Sequence, residues 1–459
     1  MQKSGAPIAR DASHMDNDSA SCRGIISDAL LKKLLLPFAN FPRIAIGVSG
    51  GPDSAALMLL AARWAGLTGR DRTSITVLTV DHGLRAESCA EARFCRELAA
   101  SIGFHHETLL WEGEKPKAAV QARAREARYA LMTAYCRAHG ISCLATAHTA
   151  DDQAETLLMR LQRGSGADGL AAIAPETERE GLTLLRPLLS ISKARLFAYL
   201  READAPFVRD PTNENLDYER PRLRHAMQAM RRAGFRREAL VRSASRLRRA
   251  VSALDGIVET FLDLELFVSP LGDGYISRVA LGQAPAEIQI RVYNRVFGLL
   301  GGSTPNPRLS KIEALAEKSR KSPWRTTLGG CFVVASADRI SFYREPGRVS
   351  HIARDLSAGE RVLWDGRFDV ELSSASANVF TVSKLGHAGW NVYRQAAKQG
   401  ALKNKALRLA ALSTPAIWRD DCLIAAPLIG WSNPIAGAEF PLAVTVSLAK
   451  KIARFVKLS

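Results

Sequence analysis

The segment Arg43-Ile-Ala-Ile-Gly-Val-Ser49-Gly50-Gly51-Pro52-Asp53-Ser54 constrains this chain more than any other feature. An apolar run of strand character passes through Ser-Gly-Gly straight into an apolar helical stretch, and that succession builds an anion site. The glycines let backbone N–H groups approach a phosphate, Ser49 and Ser54 supply hydroxyls, and the helix dipole favours negative charge. No Gly-Lys-Ser/Thr follows, so the loop is not a Walker A loop, and the lysine that grips β- and γ-phosphates is missing. Asp53 would repel a phosphate unless a metal lies between them, which points to Mg2+ on pyrophosphate with Asp53 as its indirect protein contact. The plainer alternative is a βα turn in which Asp53 caps the helix.

Around this loop, apolar β-rich runs alternate with longer helical stretches, the pattern of an α/β fold with a parallel sheet and helices on both faces. Strands are predicted at Arg43–Val48, Ser74–Val80, His105–Leu110 and Ser142–Ala147, with helices at Ser54–Ala65, Cys89–Ile102, Lys117–Ala138 and Asp151–Gln162. A chain of 459 residues exceeds what one core usually serves. The predicted division is a disordered tail at 1–24, a catalytic domain at 25–218, a mainly helical basic domain at 219–345 and a small α+β C-terminal domain at 346–459. Helices at Ala286–Leu300 and Leu309–Ser319 flank a Gly-Gly-Ser-Thr-Pro-Asn-Pro loop, 301–307. A hairpin is predicted at Phe332–Tyr343 and a second around Asp365-Gly366, with Arg344–Gly359 as a linker.

Charge then narrows the partner. Lys plus Arg number 63 against 46 Asp plus Glu, a formal +17, which favours a polyanion such as nucleic acid over the alternative of a merely basic protein. From Glu219 to Ala250 the arginines are dense, and Arg220, Arg222, Arg224, Arg231, Arg232, Arg236 and Arg237 are the candidate RNA-binding residues. Seven cysteines form no CxxC pair, so reduced thiols in the cytoplasm are the simplest account. No apolar run is long enough to span a bilayer, and the polar, acid-bearing N-terminal stretch lacks the apolar middle of a signal peptide.

Further motifs follow in order. Thr79-Val-Asp81-His82-Gly83 comes off the second strand, and Thr146-Ala-His148-Thr-Ala-Asp151-Asp152-Gln-Ala-Glu155 runs off another into a helix on which Asp152 and Glu155 share a face. Gln121-Ala-Arg123-Ala-Arg125-Glu126-Ala-Arg128-Tyr129 gathers cations on one helix, and Arg163-Gly-Ser-Gly166, Arg186-Pro-Leu-Leu189 and Asp210-Pro-Thr-Asn213 complete the series. Taken singly, each has a duller reading: a core histidine, acids offsetting a helix dipole, a solvated charged face. Together and in this order they resemble the N-type ATP-pyrophosphatase (PP-loop) family, signature SGGxDS, and within it the tRNA(Ile)-lysidine synthase branch. The resemblance covers residues 40–225 strongly. One departure is Pro221 in Arg220-Pro221-Arg222-Leu223-Arg224, where the family tends to carry Asn, so any role of that Asn is in doubt here.

The resemblance implies a ligase using ATP and Mg2+, free L-lysine and the isoleucine tRNA with a CAU anticodon. The wobble cytidine would be adenylated with release of pyrophosphate. Lysine would then displace AMP to give lysidine, changing codon reading from AUG to AUA and charging from Met to Ile. Implied ATP-binding residues are Ser49, Gly50, Gly51, Pro52, Asp53, Ser54, Asp81 and His82. Implied catalytic residues are Asp53, Arg125, Arg128, His148, Asp152 and Glu155, with Asp152 and Glu155 taking the lysine ammonium. The basic domain at 219–345, which opens on a linker helix, and the small domain at 346–459 would both bind the tRNA, and the oligomeric state stays open, a homodimer among the options. A tRNA thiolase of the same family is the rival. A non-catalytic RNA-binding protein would explain the charge but not the phosphate loop.

Overall fold

A computed structural model describes residues 8–9, 26–83, 88–113, 115, 120–208, 219–319, 323–349, 352–373, 379–396, 405–433 and 443–456, without the side chains of Ile8, Ala9, Gln121, Arg220, Pro221, Ala396, 405–407 and Ala443. In chain order the first half comprises β1 (Ile8–Ala9), α1 (Asp28–Leu34), β2 (Ile44–Gly47), α2 (Pro52–Thr68), β3 (Ile75–Asp81), α3 (Ser88–Ser101), β4 (His105–Leu110) and α4 (Val120–Ala138). It continues with β5 (Cys143–Ala145), α5 (Ala150–Gln162), α6 (Ala167–Leu170), β6 (Glu176–Arg179), β7 (Leu182–Leu185), α7 (Lys193–Glu202), β8 (Phe207–Val208), α8 (Glu219–Arg232) and α9 (Arg237–Glu265). Each of the four predicted strands and four predicted helices of this half is present, with ends shifted by a few residues.

Six strands make one sheet in the order β4-β3-β2-β5-β7-β6, all parallel except β6, which pairs antiparallel with β7. Strand β2 is buried over Ile44–Ile46 and β3 over Ile75–Thr79, which is why both read as unbroken apolar runs. Helix α2 is buried on nearly every side, and its many alanines let it lie close to its neighbours; Pro52 starts it and Gly69, with φ +70°, ends it. The chain builds outward from β2 through β3 to β4, then returns to place β5 on the other side of β2. That reversal opens a crevice beyond the carboxyl ends of β2 and β5, where open α/β sheets bind ligands.

The chain divides into two compact units, 1–251 and 252–459. The basic segment stays with the first unit because its arginines reach inward: Arg224 to Glu155, Arg237 to Asp151 and Arg248 to the carbonyls of Ala171 and Ala172. Ala244 also packs with Leu157 and Ala172. In the second unit, Asp365 takes hydrogen bonds from both Arg344 and Arg367, and all three are buried, so the chain on either side of 345 is tied together. Ile452 and Phe455 likewise join the core built by residues 258–342.

Both predicted hairpins form, Cys331–Ala335 with Arg339–Arg344 and Arg361–Trp364 with Phe368–Ser373. The expected linker 344–359 instead holds buried Arg344, Val349 and Leu356, the last in a strand paired with Phe380–Lys384. In the expected tail, Ile8–Ala9 pairs with Phe207–Val208, and the rest of 1–24 lies outside the described residues. So does the Asp210–Asn213 motif. No helix among the described residues is long and apolar enough to cross a membrane.

Candidate active site

The phosphate loop leaves β2 at Val48, whose N–H still bonds the Leu78 carbonyl at 2.9 Å, and enters α2 through the N-cap Gly51. Gly50 has φ +80°, a conformation only glycine adopts cheaply, and its carbonyl accepts the Val208 N–H at 2.9 Å. Ser54 pins the turn: its hydroxyl donates to the Gly51 carbonyl (2.9 Å) and accepts the Ser49 N–H (3.2 Å). No side chain caps the start of α2 by a hydrogen bond, and Asp53 is the acid in its first turn.

Above the loop lies a cavity of about 360 Å³, within the range of small-ligand sites. Ser49, Gly51, Pro52, Asp53 and Ser54 line one side, with Arg125, Arg128, His148 and Asp152 from the predicted set around it. Two further cations line it as well, Lys193 and Arg224. Four cationic side chains (Arg125, Arg128, Lys193, Arg224) therefore face two carboxylates (Asp53, Asp152), and the excess positive charge suits a polyphosphate.

Lys193 is the residue that sequence reasoning missed. Its ammonium lies 2.6 Å from Asp53 Oδ2 and 3.8 Å from Asp152 Oδ1. Burial disfavours its charge, but Asp53 and Asp152 outweigh that and hold its pKa above the usual lysine range. Burial pushes the Asp53 carboxyl up, with Lys193 opposing. Lys193 opens α7 behind the N-cap Ser192, and its N–H donates to Asp151 Oδ2 at 2.8 Å. The available signal was its place: like Asp53 and Asp152, it stands in the first turn of a helix that follows a strand.

The acids of α5 have double duties. Asp152 Oδ2 accepts from both the N–H and the hydroxyl of Thr149, each at 2.8 Å, completing a capping box, while Oδ1 faces Lys193. Burial would raise its pKa, but Lys193 and the Thr149 hydrogen bonds hold it below the usual carboxylate range. The capping reading is thus right for one oxygen of Asp152. Glu155 accepts from Arg224 Nε at 2.6 Å through Oε1, and its Oε2 is buried with no hydrogen-bond partner. Burial raises the Glu155 pKa against the pull of Arg224.

Arg125 stacks over the Tyr129 ring at 5.2 Å, and burial lowers the Arg128 pKa. His148 Nδ1 lies 3.0 Å from the Thr146 hydroxyl. Asp81 and His82 are not brought to the cavity lining. Asp81 Oδ1 instead accepts from the Gly83 N–H (2.8 Å) and the Ser88 hydroxyl (2.6 Å), tying the start of α3 to the end of β3. His82 Nε2 accepts from Arg128 at 3.3 Å, and burial, with Arg128 adding to it, pushes its pKa down to about 4. Among the RNA-binding candidates, Arg222, Arg231, Arg232 and Arg236 are exposed, whereas Arg237 is largely buried, bridging Asp151 (2.7 Å) and Glu238 (2.9 Å). The Arg220 side chain lies outside the described residues.

This architecture agrees with what the chain is similar to. The PP-loop domain family matches residues 26–230. The tRNA(Ile)-lysidine synthase of Rhodopseudomonas palustris is 43% identical over 339 residues, covering 70% of this chain and 96% of the relative. That of Ruegeria pomeroyi is 37% identical over 411 residues, covering 88% and 93%, and that of Anaplasma marginale 31% over 422, covering 89% and 90%. A phosphate loop at the sheet's reversal point and identities sustained over nearly the whole length of such relatives lead to one family: this chain belongs to the tRNA(Ile)-lysidine synthases of the PP-loop group.

Proposed function

We propose that the protein ligates free L-lysine to C2 of the wobble cytidine in the isoleucine tRNA with a CAU anticodon, in the cytoplasm, by two steps in this one cavity. The cytidine C2 oxygen attacks the α-phosphate of ATP, forming an adenylated base and releasing pyrophosphate. The lysine ε-amine then attacks C2 and expels AMP, losing a proton to yield lysidine.

The observation that carries this reading is the pairing of a phosphate loop with a buried, partner-less carboxylate oxygen, Glu155 Oε2, on a residue that does not itself line the cavity but is bonded to Arg224, which does. A buried acceptor left unmatched costs about 1–3 kcal/mol, more when charged, and an incoming ammonium would relieve it. A lysine amine with an ordinary pKa of about 10.4 must also lose a proton before it can attack, and Glu155, its pKa raised by burial, is the base we assign to that proton. Asp152 Oδ1 is the second acceptor for the ammonium. Ser49, Gly51, Ser54 and the start of α2 hold the triphosphate. Lys193 supplies the cation that the loop itself lacks, and Arg125 and Arg128 hold the α-phosphate. His148 orients that phosphate.

Mg2+ fits the donors present, since Asp53 Oδ1 is buried without a partner and is a hard oxygen ligand. Among the described residues no cluster of three or more His, Cys, Asp or Glu forms a cage, so Asp53 would hold the ion together with phosphate oxygens. Bound there, it would offset the charge of the departing pyrophosphate.

The thiolase alternative finds no support in the three buried cysteines of the first unit, Cys95, Cys136 and Cys143. Burial pushes the Cys95 thiol up to about 11 and those of Cys136 and Cys143 up to about 12, away from the thiolate that sulfur transfer needs. The deciding experiment is mass analysis of nucleosides from unmodified isoleucine tRNA incubated with enzyme, ATP and lysine. Lysidine with stoichiometric AMP is expected; ADP and orthophosphate, or a thiolated base, would overturn the proposal.

A further inference from the structure

A second cavity, of about 540 Å³, lies wholly in the second unit and is lined by none of the residues placed in the candidate active site. It is walled by the Thr304–Pro307 loop, the start of helix Leu309–Lys318 and the Leu328–Gly330 turn. Arg308, Lys311 and Arg348 face it against a single carboxylate, Glu345, which sits 3.6 Å from Arg348. Among the described residues, neither Arg308 nor Lys311 has an ion-pair partner. No side chain caps the helix that begins at Leu309, so its dipole adds to the positive field.

The floor is rigid while the charges are exposed. Arg344, buried and locked by Asp365, donates to the Thr304 hydroxyl (2.9 Å) and the Gly330 carbonyl (3.0 Å), stapling the loop to the turn. Pro305, Pro307 and Leu328 give the cavity apolar faces beside its cations. A bare phosphate would leave most of the volume empty and those faces unused. A sugar or base carrying the phosphate would cover them.

We infer that this cavity binds the phosphate-bearing unit of a nucleotide, with Arg308, Lys311 and Arg348 on the phosphate and the proline-leucine faces against the sugar or base. The chemistry is shared by two sources, a nucleotide within the tRNA and a free nucleotide such as AMP. The first source rests on the proposed ligase reading; the second does not.

The test is the full chain carrying Arg308→Gln, Lys311→Gln and Arg348→Gln together, all at exposed positions, with a thermal melt to verify folding. Equilibrium dialysis counts AMP bound per chain. In parallel, tRNA affinity is measured across salt concentrations. If the ligand is a tRNA nucleotide, the log–log salt slope falls by about 0.9, for the one phosphate no longer neutralised. If it is a free nucleotide, bound AMP falls by one per chain while the tRNA slope holds. Either change, or both, supports the site. An unaltered AMP count together with an unaltered slope overturns it. Should the native chain fail to bind tRNA at all, the ligase reading fails and the AMP count alone decides this one.

Discussion

Lys193 and Asp53 hold each other at 2.6 Å in a site otherwise arranged for a polyanion, so each governs what the other can do. Lys193→Met keeps the stem and removes the charge. Removing a charge-assisted hydrogen bond of about 1.5–3 kcal/mol should lower kcat/KM for ATP by roughly 10- to 150-fold, with Lys193→Arg recovering part of it. A lysine that merely braced Asp53 would leave ATP dependence intact and lower only the melting temperature. Nothing in residue spacing ties a lysine 140 positions along the chain to the loop, and its place at a helix start was the one signal the sequence carried. His82 makes a second prediction. Unfolded, the imidazole takes its proton near 6.5; folded, near 4, because burial opposes the charge. Between those values the unfolded chain binds more protons, so acidification favours unfolding. Stability should fall as pH drops from about 6.5 towards 4, and His82→Asn should flatten part of that fall in melts taken at pH 7 and pH 4.5. His106, also pushed down to about 4 by burial, accounts for a further share.

Among the elements, the phosphate loop has least tolerance. A Cβ on Gly50 would sit 3.3 Å from both Cys95 Sγ and Val208 Cγ2, on a backbone at φ +80°. Gly50→Ala should therefore cost about 1–2 kcal/mol and weaken ATP binding, whereas Gly66→Ala, with open space around it, should do neither; chemical denaturation with ATP titration checks both. The elements that sequence made legible share one property. The parallel strands β2, β3 and β5 are buried and read as continuous apolar runs, and α5 begins at a recognisable cap, Thr149. The β6–β7 hairpin was not legible, since Glu176-Thr-Glu-Arg179 is a polar edge strand whose pairing comes from β7 alone. The acid pair on α5 was legible in position but not in partners. Spacing put Asp152 and Glu155 on one face, yet only the fold brings Thr149, Lys193 and Arg224 to them.

Across the whole molecule, a +17 charge is a property of composition, but which arginines meet solvent is a property of the fold. Neutralising exposed Arg231, Arg232 and Arg236 should weaken tRNA binding and reduce its salt slope by about 0.9 for each phosphate they neutralise. Arg237→Gln should instead lower the melting temperature, because it strips a buried partner from Asp151. A filter-binding salt series beside a melt of each variant separates the two outcomes. The same inward pull on polar groups changes how the gene can be edited. Asp365-Gly366, with φ +49° and +64°, looks from sequence like a loop tip, the natural place to open a chain for a fluorescent tag or a circular permutation. Yet Asp365 is fully enclosed between two guanidinium groups, so an insertion there would strand two buried cations, and the second unit should become readily digested by protease. The Glu180-Gly181 tip, with φ +52° and +80° and open to water, has the same backbone geometry with nothing locked to it beyond an exposed ion pair to Arg137; a tag spliced there should leave a soluble, ATP-binding protein.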